Sequence, residues 1–108
     1  MVELAVEQAL VSKGHKVEPE VRVSRFPFII DLAIISEDGR KYDIGTECKG
    51  ERYYQDTPST LTREALRLKI LQDEGWNIHH IQATEWYWHP EVELERLEAL
   101  LAKIRSNF

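Results

Sequence analysis

An acidic residue interrupts an apolar run in the first third of the chain. The run reads Phe-Ile-Ile-Asp-Leu-Ala-Ile-Ile over residues 28–35, with Asp31 inside it. A carboxylate that is buried without a partner costs so much free energy that it normally takes up a proton or is replaced. We therefore expect a compensating group beside Asp31, and a divalent metal ion is the leading candidate.

A second strand-like segment at residues 42–49 alternates with a period of two, so successive side chains should point to opposite faces of a sheet. One face would carry Tyr42, Ile44, Thr46 and Cys48, and the other Asp43, Gly45, Glu47 and Lys49. The first set is typical of a core face. We expect the second set to line a polar cleft.

The turn between the two segments decides whether their acids meet. Residues 37–41 contain Asp38-Gly39, which predicts an antiparallel hairpin. A loop of residues 38–40, or a bulge with the same effect, sets Asp31 opposite Glu47, whereas a loop shorter by one residue sends them to opposite faces. We favour the first register. Opposed residues have Cβ atoms about 4.5–5.5 Å apart, which suits two carboxylates on one Mg²⁺ with oxygen contacts of about 2.0–2.1 Å.

Lys49 follows Glu47 by two residues and should project from the same face of the strand. Its side chain could stabilise the charge that builds up on a phosphodiester under attack, or help to position and deprotonate the attacking water. Asp31, Glu47 and Lys49 together indicate metal-assisted phosphodiester hydrolysis.

Asp31 and Glu47-Cys48-Lys49 resemble the signature of the PD-(D/E)XK nuclease superfamily, an acid on one strand followed by Glu-x-Lys on the next. More closely, the chain is similar to the very-short-patch-repair-like endonuclease domains found alone or at the C-termini of large bacterial helicase-like ATPases. The similarity covers nearly the whole chain. It rests on Glu3-x-x-Val6, Gly14, Ile30-Asp31-Leu32-Ala33, Gly45-x-Glu47-Cys48-x-Gly50, Arg63-x-x-Leu66-Arg67, Gly75-Trp76-x-Ile78 and Thr84-Glu85-Trp86.

The resemblance implies a Mg²⁺-dependent endonuclease, with Mn²⁺ able to substitute, that cleaves DNA and leaves a 5′-phosphate. Asp31, Glu47 and the backbone carbonyl of Cys48 would hold the ion, and Lys49 would assist the attacking water. Several of the similar domains carry Asp at the position of Lys49, so this chain is closer than they are to the general superfamily motif. A role in DNA repair or defence within a larger helicase-like protein is also implied.

Two further acids are candidates for accessory positions near the metal. Glu3 resembles an accessory acid of the similar domains, and a solvated surface acid on the first helix is an equal alternative. Glu20 aligns with a position that is often Gln in them. Either a place in the metal shell or a solvent-facing strand position fits it.

Three arginines are candidates for nucleic-acid contacts. Arg63 and Arg67 are four residues apart, so they share a helix face and could contact phosphates of the scissile strand. Surface salt bridges with Glu64 or Glu74 are the alternative. Arg52 follows the motif strand and could line the cleft or pack the loop.

Other residues with chemical potential are better explained by packing. His79 and His80 are adjacent on a predicted strand, so they should point to opposite faces and are poorly placed to bind one ion. The run Trp86-Tyr87-Trp88 could stack on bases. We prefer packing of the terminal helix against the sheet for this run.

Hydrophobic periodicity and turn residues predict an α+β domain of order αβββαβα, which is the restriction-endonuclease-like core with a closing helix. We expect a mixed central sheet flanked by helices. The helices should span 2–13, 58–74 and 90–105, and the strands 16–23, 27–36, 41–49 and 76–83, with an aromatic turn before Pro90. A chain of 108 residues is long enough for one core, so a single domain over residues 1–108 is expected.

The charge of the chain bears on its partners. The net charge is −5, whereas a domain that binds DNA by itself usually has a basic excess. Residues 1–69 hold 11 of the 14 Lys and Arg against 12 acids, so the acid surplus lies mainly in the C-terminal part. We expect weak intrinsic DNA affinity, with a helicase-like ATPase domain or a homodimer partner strengthening the binding.

A single cysteine excludes an internal disulfide and favours a cytoplasmic location. No run approaches the roughly 18 apolar residues of a membrane span, so no membrane partner is expected. Two other function classes stay open. One is a non-catalytic nucleic-acid-binding module that keeps the nuclease fold, and the other is a protein-interaction domain whose acidic second half docks a partner.

Overall fold

A computed structural model of the chain describes residues 2–23, 28–49 and 58–106, with Lys49 and residues 58–61 as backbone only. The helices are α1 (Val2–Ser12), α2 (Pro58–Asp73), α3 (Ala83–Trp88) and α4 (Pro90–Ser106), and the strands are β1 (Val17–Arg22), β2 (Ile29–Ile35), β3 (Tyr42–Lys49) and β4 (Ile78–Gln82). The predicted elements are confirmed in type and order. The aromatic turn expected before Pro90 is instead the short helix α3.

The strands form one sheet in the order β1-β2-β3-β4. The first three are antiparallel, and β4 runs parallel to β3 after a connection that contains α2. The mixed sheet flanked by helices, which the sequence predicted, is therefore confirmed. None of the helices in the described ranges is long and apolar enough to cross a lipid bilayer.

Apolar side chains cover both faces of the sheet. On one face, Ile44 packs in a cluster with Leu10 of α1 and Leu97 of α4. On the other face, Ala33 packs in a cluster with Leu71 of α2. This three-layer arrangement explains the nearly continuous apolar run of β2, because such a strand is buried on both sides.

The prediction of a polar cleft along the second face of β3 is wrong over the middle of the strand. A Cβ at Gly45 would lie 3.0 Å from Ile78 Cδ1 and 3.1 Å from both Ile30 Cγ2 and Trp76 Cε3. Apolar neighbours therefore fill the space that a side chain would need, which is a reason for glycine in a strand. Among the described side chains of this face, polar character begins at Glu47.

The register between β2 and β3 is the one that the sequence favoured. Leu32 is opposite Thr46, and this register, continued by one residue, sets Asp31 across from Glu47. Nearer the turn the pairing shifts by one position, because β3 carries an extra residue, Asp43. The prediction of a bulge with the effect of an odd loop is confirmed.

The bulge also breaks the strict alternation expected along β3. Tyr42 stacks on Trp76, on the α2 side, with ring centroids 5.2 Å apart. Asp43 points to the other side, where Arg105 of α4 donates from Nε to its Oδ2 at 2.8 Å. Arg105 Nη2 also donates to the carbonyl of Ile35 at 3.4 Å. A buried carboxylate and a helix-borne cation therefore meet where the register changes.

Gly75 ends α2 as predicted. Its φ of +96° lies in the left-handed region, which costs a residue with a side chain more than it costs glycine. The next amide, Trp76 N–H, donates back to the Leu71 carbonyl at 3.0 Å. This is the Schellman pattern of helix termination, and it turns Trp76 toward the sheet.

We expect Arg105→Met to lower the free energy of unfolding by about 3 kcal/mol, because it leaves the buried Asp43 carboxylate without its cation. Urea denaturation measures the change. Lys103→Met, two residues earlier on an exposed part of α4, is the matched control and should change stability by no more than about 0.5 kcal/mol. Equal effects of the two substitutions would show that the bulge does not depend on this ion pair.

Candidate active site

Asp31 lies where β2 leaves its ladder with β3. The paired residues end at Leu32 and Thr46. One residue beyond, the half-buried Asp31 accepts a hydrogen bond at Oδ2 from the backbone N–H of Cys48, at 2.9 Å. A side chain therefore satisfies a strand donor that the backbone ladder does not. This contact holds the carboxylate beside the backbone of β3.

Other acids surround Asp31. Burial raises the pKa of Asp31 above its usual range, the hydrogen bond from Cys48 opposes the rise, and the carboxylates of Glu47 and Glu3 add to it. The charge of Arg67 acts in the same direction as Cys48. Two carboxylates thus lie within electrostatic reach of a third, and their repulsion would be offset by a cation.

Glu47 is buried and forms an ion pair with Arg67 of α2. The Glu47 side chain is 7% exposed. Arg67 Nη1 donates to both carboxylate oxygens, at 2.5 and 2.6 Å. Arg67 Nη2 donates to the Ile29 carbonyl at 3.2 Å, and the guanidinium lies 5.5 Å from the centre of the Phe28 ring. A carboxylate, a carbonyl and an aromatic ring therefore fix the guanidinium.

The structure gives Arg67 a partner that the sequence did not suggest, and its predicted contact with a DNA phosphate stays a prediction. The arginine contacts Glu47 of the motif strand, 20 residues earlier in the chain, rather than Glu64 or Glu74 of its own surroundings. Nothing in the local pattern of α2 indicates such a partner. The sequence does contain one indication of this contact. Glu47 is an acid without an evident local partner, in a segment that otherwise suits burial.

The two adjacent histidines lie on opposite faces of β4, as predicted. His80 is opposite Glu47 in the parallel register, with Nε2 3.9 Å from Glu47 Oε1. His79 is opposite Thr46 on the other face. His80 is therefore a neighbour of the candidate site that the sequence alone did not reveal, because parallel pairing of distant strands sets it there.

The two candidate accessory acids occupy different positions. Glu3, on α1, is half-buried and acts electrostatically on both Asp31 and Cys48. Glu20 is exposed on β1, opposite Asp31 by the register that pairs Pro19 with Leu32. Its φ of +51° is rare for a residue other than glycine. The strand next to Asp31 is thus irregular at the level of the carboxylate.

The remaining candidates are Arg63, Lys49 and Arg52. Arg63 is exposed on α2, one turn before Arg67. Lys49 is the last residue of β3 and lies opposite Gln82 of β4. Its side chain, like the whole of Arg52, lies outside the described residues.

Cys48 contributes its backbone rather than its thiol. The side chain is 8% exposed and packs in the cluster beneath α1 and α4. Burial raises the pKa of the thiol to about 12, and the charges of Asp31, Glu3 and Glu47 add to the rise. The thiol packs among apolar side chains, and the contact that Cys48 makes with Asp31 comes from its backbone N–H.

A sequence model of the restriction-endonuclease-like family REase_MTES_1575 matches residues 3–101. The chain belongs to this family. It is a nuclease-like domain, and the mixed sheet flanked by helices agrees with that membership. Searches of curated proteins and of solved structures give no match.

The donor atoms of this nuclease-like domain suit a hard divalent cation. Asp31 and Glu47 offer carboxylate oxygens and Cys48 offers a carbonyl oxygen, the ligand types that Mg²⁺ and Mn²⁺ prefer. Within the described ranges, no three side chains of His, Cys, Asp and Glu form a ready ligand set. The oxygens fit the ion, on condition that Arg67 gives up its place at Glu47.

The aromatic run of the nuclease-like domain divides between core and surface. Trp86 packs against the cluster beneath α1 and α4, as we preferred. Tyr87 and Trp88 are 75% and 71% exposed and form an edge-to-face pair with ring centroids 5.1 Å apart. The packing explanation therefore holds for Trp86 and not for its two neighbours.

His79 should make folding of the domain sensitive to pH. Burial lowers the pKa of His79, and the nearby Glu93 carboxylate opposes this. As pH falls through about 6.5, the unfolded chain binds a proton that the folded chain does not. The free energy of unfolding should then fall by up to about 1.4 kcal/mol per pH unit from this residue alone.

We expect His79→Leu to reduce the slope of stability against pH between about pH 5 and 6.5. Urea denaturation of both proteins at several pH values measures it. The difference between them at pH 8, where the histidine is neutral in both states, serves as the internal reference. Parallel curves for the two proteins would contradict the assignment of this slope to His79.

Proposed function

We propose that the chain is a Mg²⁺-dependent endonuclease domain of the PD-(D/E)XK type that hydrolyses DNA phosphodiester bonds. The observation that carries the proposal is that Asp31 accepts a hydrogen bond from Cys48 N–H and lies within electrostatic reach of Glu47, at the end of the paired residues of β2 and β3. Membership of a restriction-endonuclease-like family supports the nuclease class. The Glu-x-Lys spacing of Glu47 and Lys49 supports the type.

In this proposal Asp31, Glu47 and the Cys48 carbonyl hold the ion. Bound Mg²⁺ supplies activation of water and neutralisation of charge on the phosphate, and Mn²⁺ would serve because it takes the same oxygen ligands. The hydrogen bond from Cys48 N–H fixes one oxygen of Asp31 and leaves the other for the ion. Glu3 is the better placed accessory acid, since its charge acts on Asp31.

Lys49 is assigned to the attacked phosphate. Its ammonium would offset the negative charge that grows on the phosphate oxygens and would help to orient the water. The water would lose one proton to solvent as its oxygen bonds to phosphorus and the bond from phosphorus to the 3′ oxygen breaks. The leaving 3′ oxygen would take up one proton from solvent, which gives a 3′-hydroxyl and a 5′-phosphate.

The contacts to DNA are assigned to arginines around the site. Arg63 is exposed on α2, whereas the guanidinium of Arg67 is bound to Glu47. Arg52 follows the motif strand in the sequence. With a net charge of −5, the domain would bind duplex weakly by itself. A helicase-like ATPase domain or a second copy of the chain would supply additional contacts to DNA, as in a DNA repair or defence module.

Glu20 is assigned to the metal site, where it would complete the group of acids around the ion.

The test uses Asp31→Asn, which keeps an oxygen to accept the bond from Cys48 and removes the charge. Mn²⁺ and Mg²⁺ are titrated into wild type and variant, and each protein is then incubated with plasmid and branched DNA. We expect saturable metal binding and nicking by wild type, and nicking lower by about 100-fold or more in the variant. Asp73→Asn, at an exposed acid near the end of α2, is the control and should behave as wild type.

The possible results separate the function classes. Absence of metal binding at millimolar concentration would contradict the proposal and would favour a protein-interaction domain. DNA binding that survives Asp31→Asn, with no cleavage by wild type in either metal, would indicate a non-catalytic nucleic-acid-binding module.

A further inference from the structure

We infer that Arg67 is a metal-displaced counter-ion: it neutralises Glu47 when no metal is bound, and it must leave this carboxylate before the ion can enter. The inference rests on the proposed function, because it concerns the same acids. It assigns Arg67 a positioning role that neither a phosphate contact nor a surface salt bridge includes.

One nitrogen of Arg67, Nη1, contacts both oxygens of the Glu47 carboxylate. Arg67 Nη1 is 2.5 Å from Glu47 Oε1 and 2.6 Å from Oε2. A donor nearly equidistant from the two oxygens lies close to the plane that bisects them, and a cation bound to both oxygens would lie in that plane too. The guanidinium therefore stands close to the place that a divalent ion would take if it bound both oxygens.

Electrostatic repulsion opposes the binding of Arg67 and a metal ion to Glu47 at the same time. An ion at about 2.0–2.1 Å from the Glu47 oxygens would lie within roughly 3 Å of a nitrogen that stayed in place. Two cations at that separation repel strongly where water is excluded, and the Glu47 side chain is 7% exposed. The carboxylate can keep Arg67 or take the metal, but it cannot hold both in this geometry.

Other contacts would keep Arg67 near the site after it leaves Glu47. Among the described residues, its remaining contacts are a neutral carbonyl, that of Ile29 at 3.2 Å, and the Phe28 ring at 5.5 Å. The Arg67 side chain is 18% exposed. These contacts keep the guanidinium beside the site while freeing its donors, and a phosphate of DNA is the anion that would then bind them.

Metal binding and DNA binding are coupled as a consequence. The metal frees Arg67 for a phosphate, and a phosphate that draws Arg67 away from Glu47 opens the carboxylate to the metal. Because such coupling is reciprocal, each ligand should raise the affinity of the other by the same factor. A purely structural ion pair between Arg67 and Glu47 predicts no such coupling.

The decisive experiment is calorimetric titration of Mn²⁺, without DNA, into wild type, Arg67→Met and Lys69→Met. Methionine retains the apolar stem and removes the charge. We expect Arg67→Met to bind Mn²⁺ about tenfold more tightly than wild type, since the competitor is gone. Lys69→Met, at an exposed cation two residues further along the same helix, should bind as wild type does.

Thermal unfolding of the same proteins guards against a folding defect. Without metal, Arg67→Met should melt below wild type, because the buried Glu47 carboxylate loses its partner. Saturating Mn²⁺ should raise its melting temperature more than it raises that of wild type. Arg67→Lys, which keeps the charge but not the forked donors, is the substitute if Arg67→Met does not fold, and its Mn²⁺ affinity should exceed that of wild type.

DNA binding gives a second, independent readout. Fluorescence anisotropy with a labelled duplex is measured in EDTA and in Ca²⁺, a hard cation for the same oxygens. Wild type and Lys69→Met should gain affinity for the duplex when Ca²⁺ is present. Arg67→Met should lose most of this gain, because no guanidinium is released.

The outcomes distinguish the inference from the function on which it rests. If wild type binds Mn²⁺ and folded Arg67→Met binds it equally or more weakly, Arg67 is a structural partner of Glu47 and the inference fails while the metal site stands. If wild type, Lys69→Met and Arg67→Met all fail to bind Mn²⁺, the proposed metal-dependent function itself is overturned. Tighter binding by Arg67→Met supports both.

Discussion

The register between β2 and β3 is the constraint on which the candidate site depends. A slip of one residue would turn Asp31 away from Glu47 and would exchange the side chains that a strand presents to the two packed faces of the sheet. The bulge at Asp43 sets this register, and the ion pair from Asp43 to Arg105 ties the bulge to the last helix. The C-terminal helix thus helps to fix the geometry of two acids at the other end of the hairpin.

Burial gives these acids their chemical character. The face that carries Glu47 is apolar around Gly45, and α2 covers it, so a carboxylate there requires a cation. Arg67 supplies one from the covering helix. The same low exposure that makes the arginine necessary would make a divalent ion bind firmly. A structural ion pair and a metal site are therefore competing solutions to one electrostatic problem, built from the same oxygens.

Most of the fold could be predicted because its signals are local. Apolar periodicity located the long helices and the strands, and Gly75 marked the end of α2. The helix α3 was missed since six residues rich in aromatics show no helical stripe. The polar cleft was predicted wrongly at Gly45, because a glycine does not reveal which side chains will fill the space above it.

The sequence by itself determined that Asp31 is an acid among buried residues, and it predicted that Glu47 and Lys49 share a strand face, since both inferences depend on spacing along a few residues. It also narrowed the register to one consistent with a bulge. Only the tertiary structure decided that Arg67 meets Glu47 and that His80 lies beside it. Those contacts join elements that are distant along the chain. They depend on how a helix packs across a sheet and how a parallel strand aligns, which no local pattern specifies.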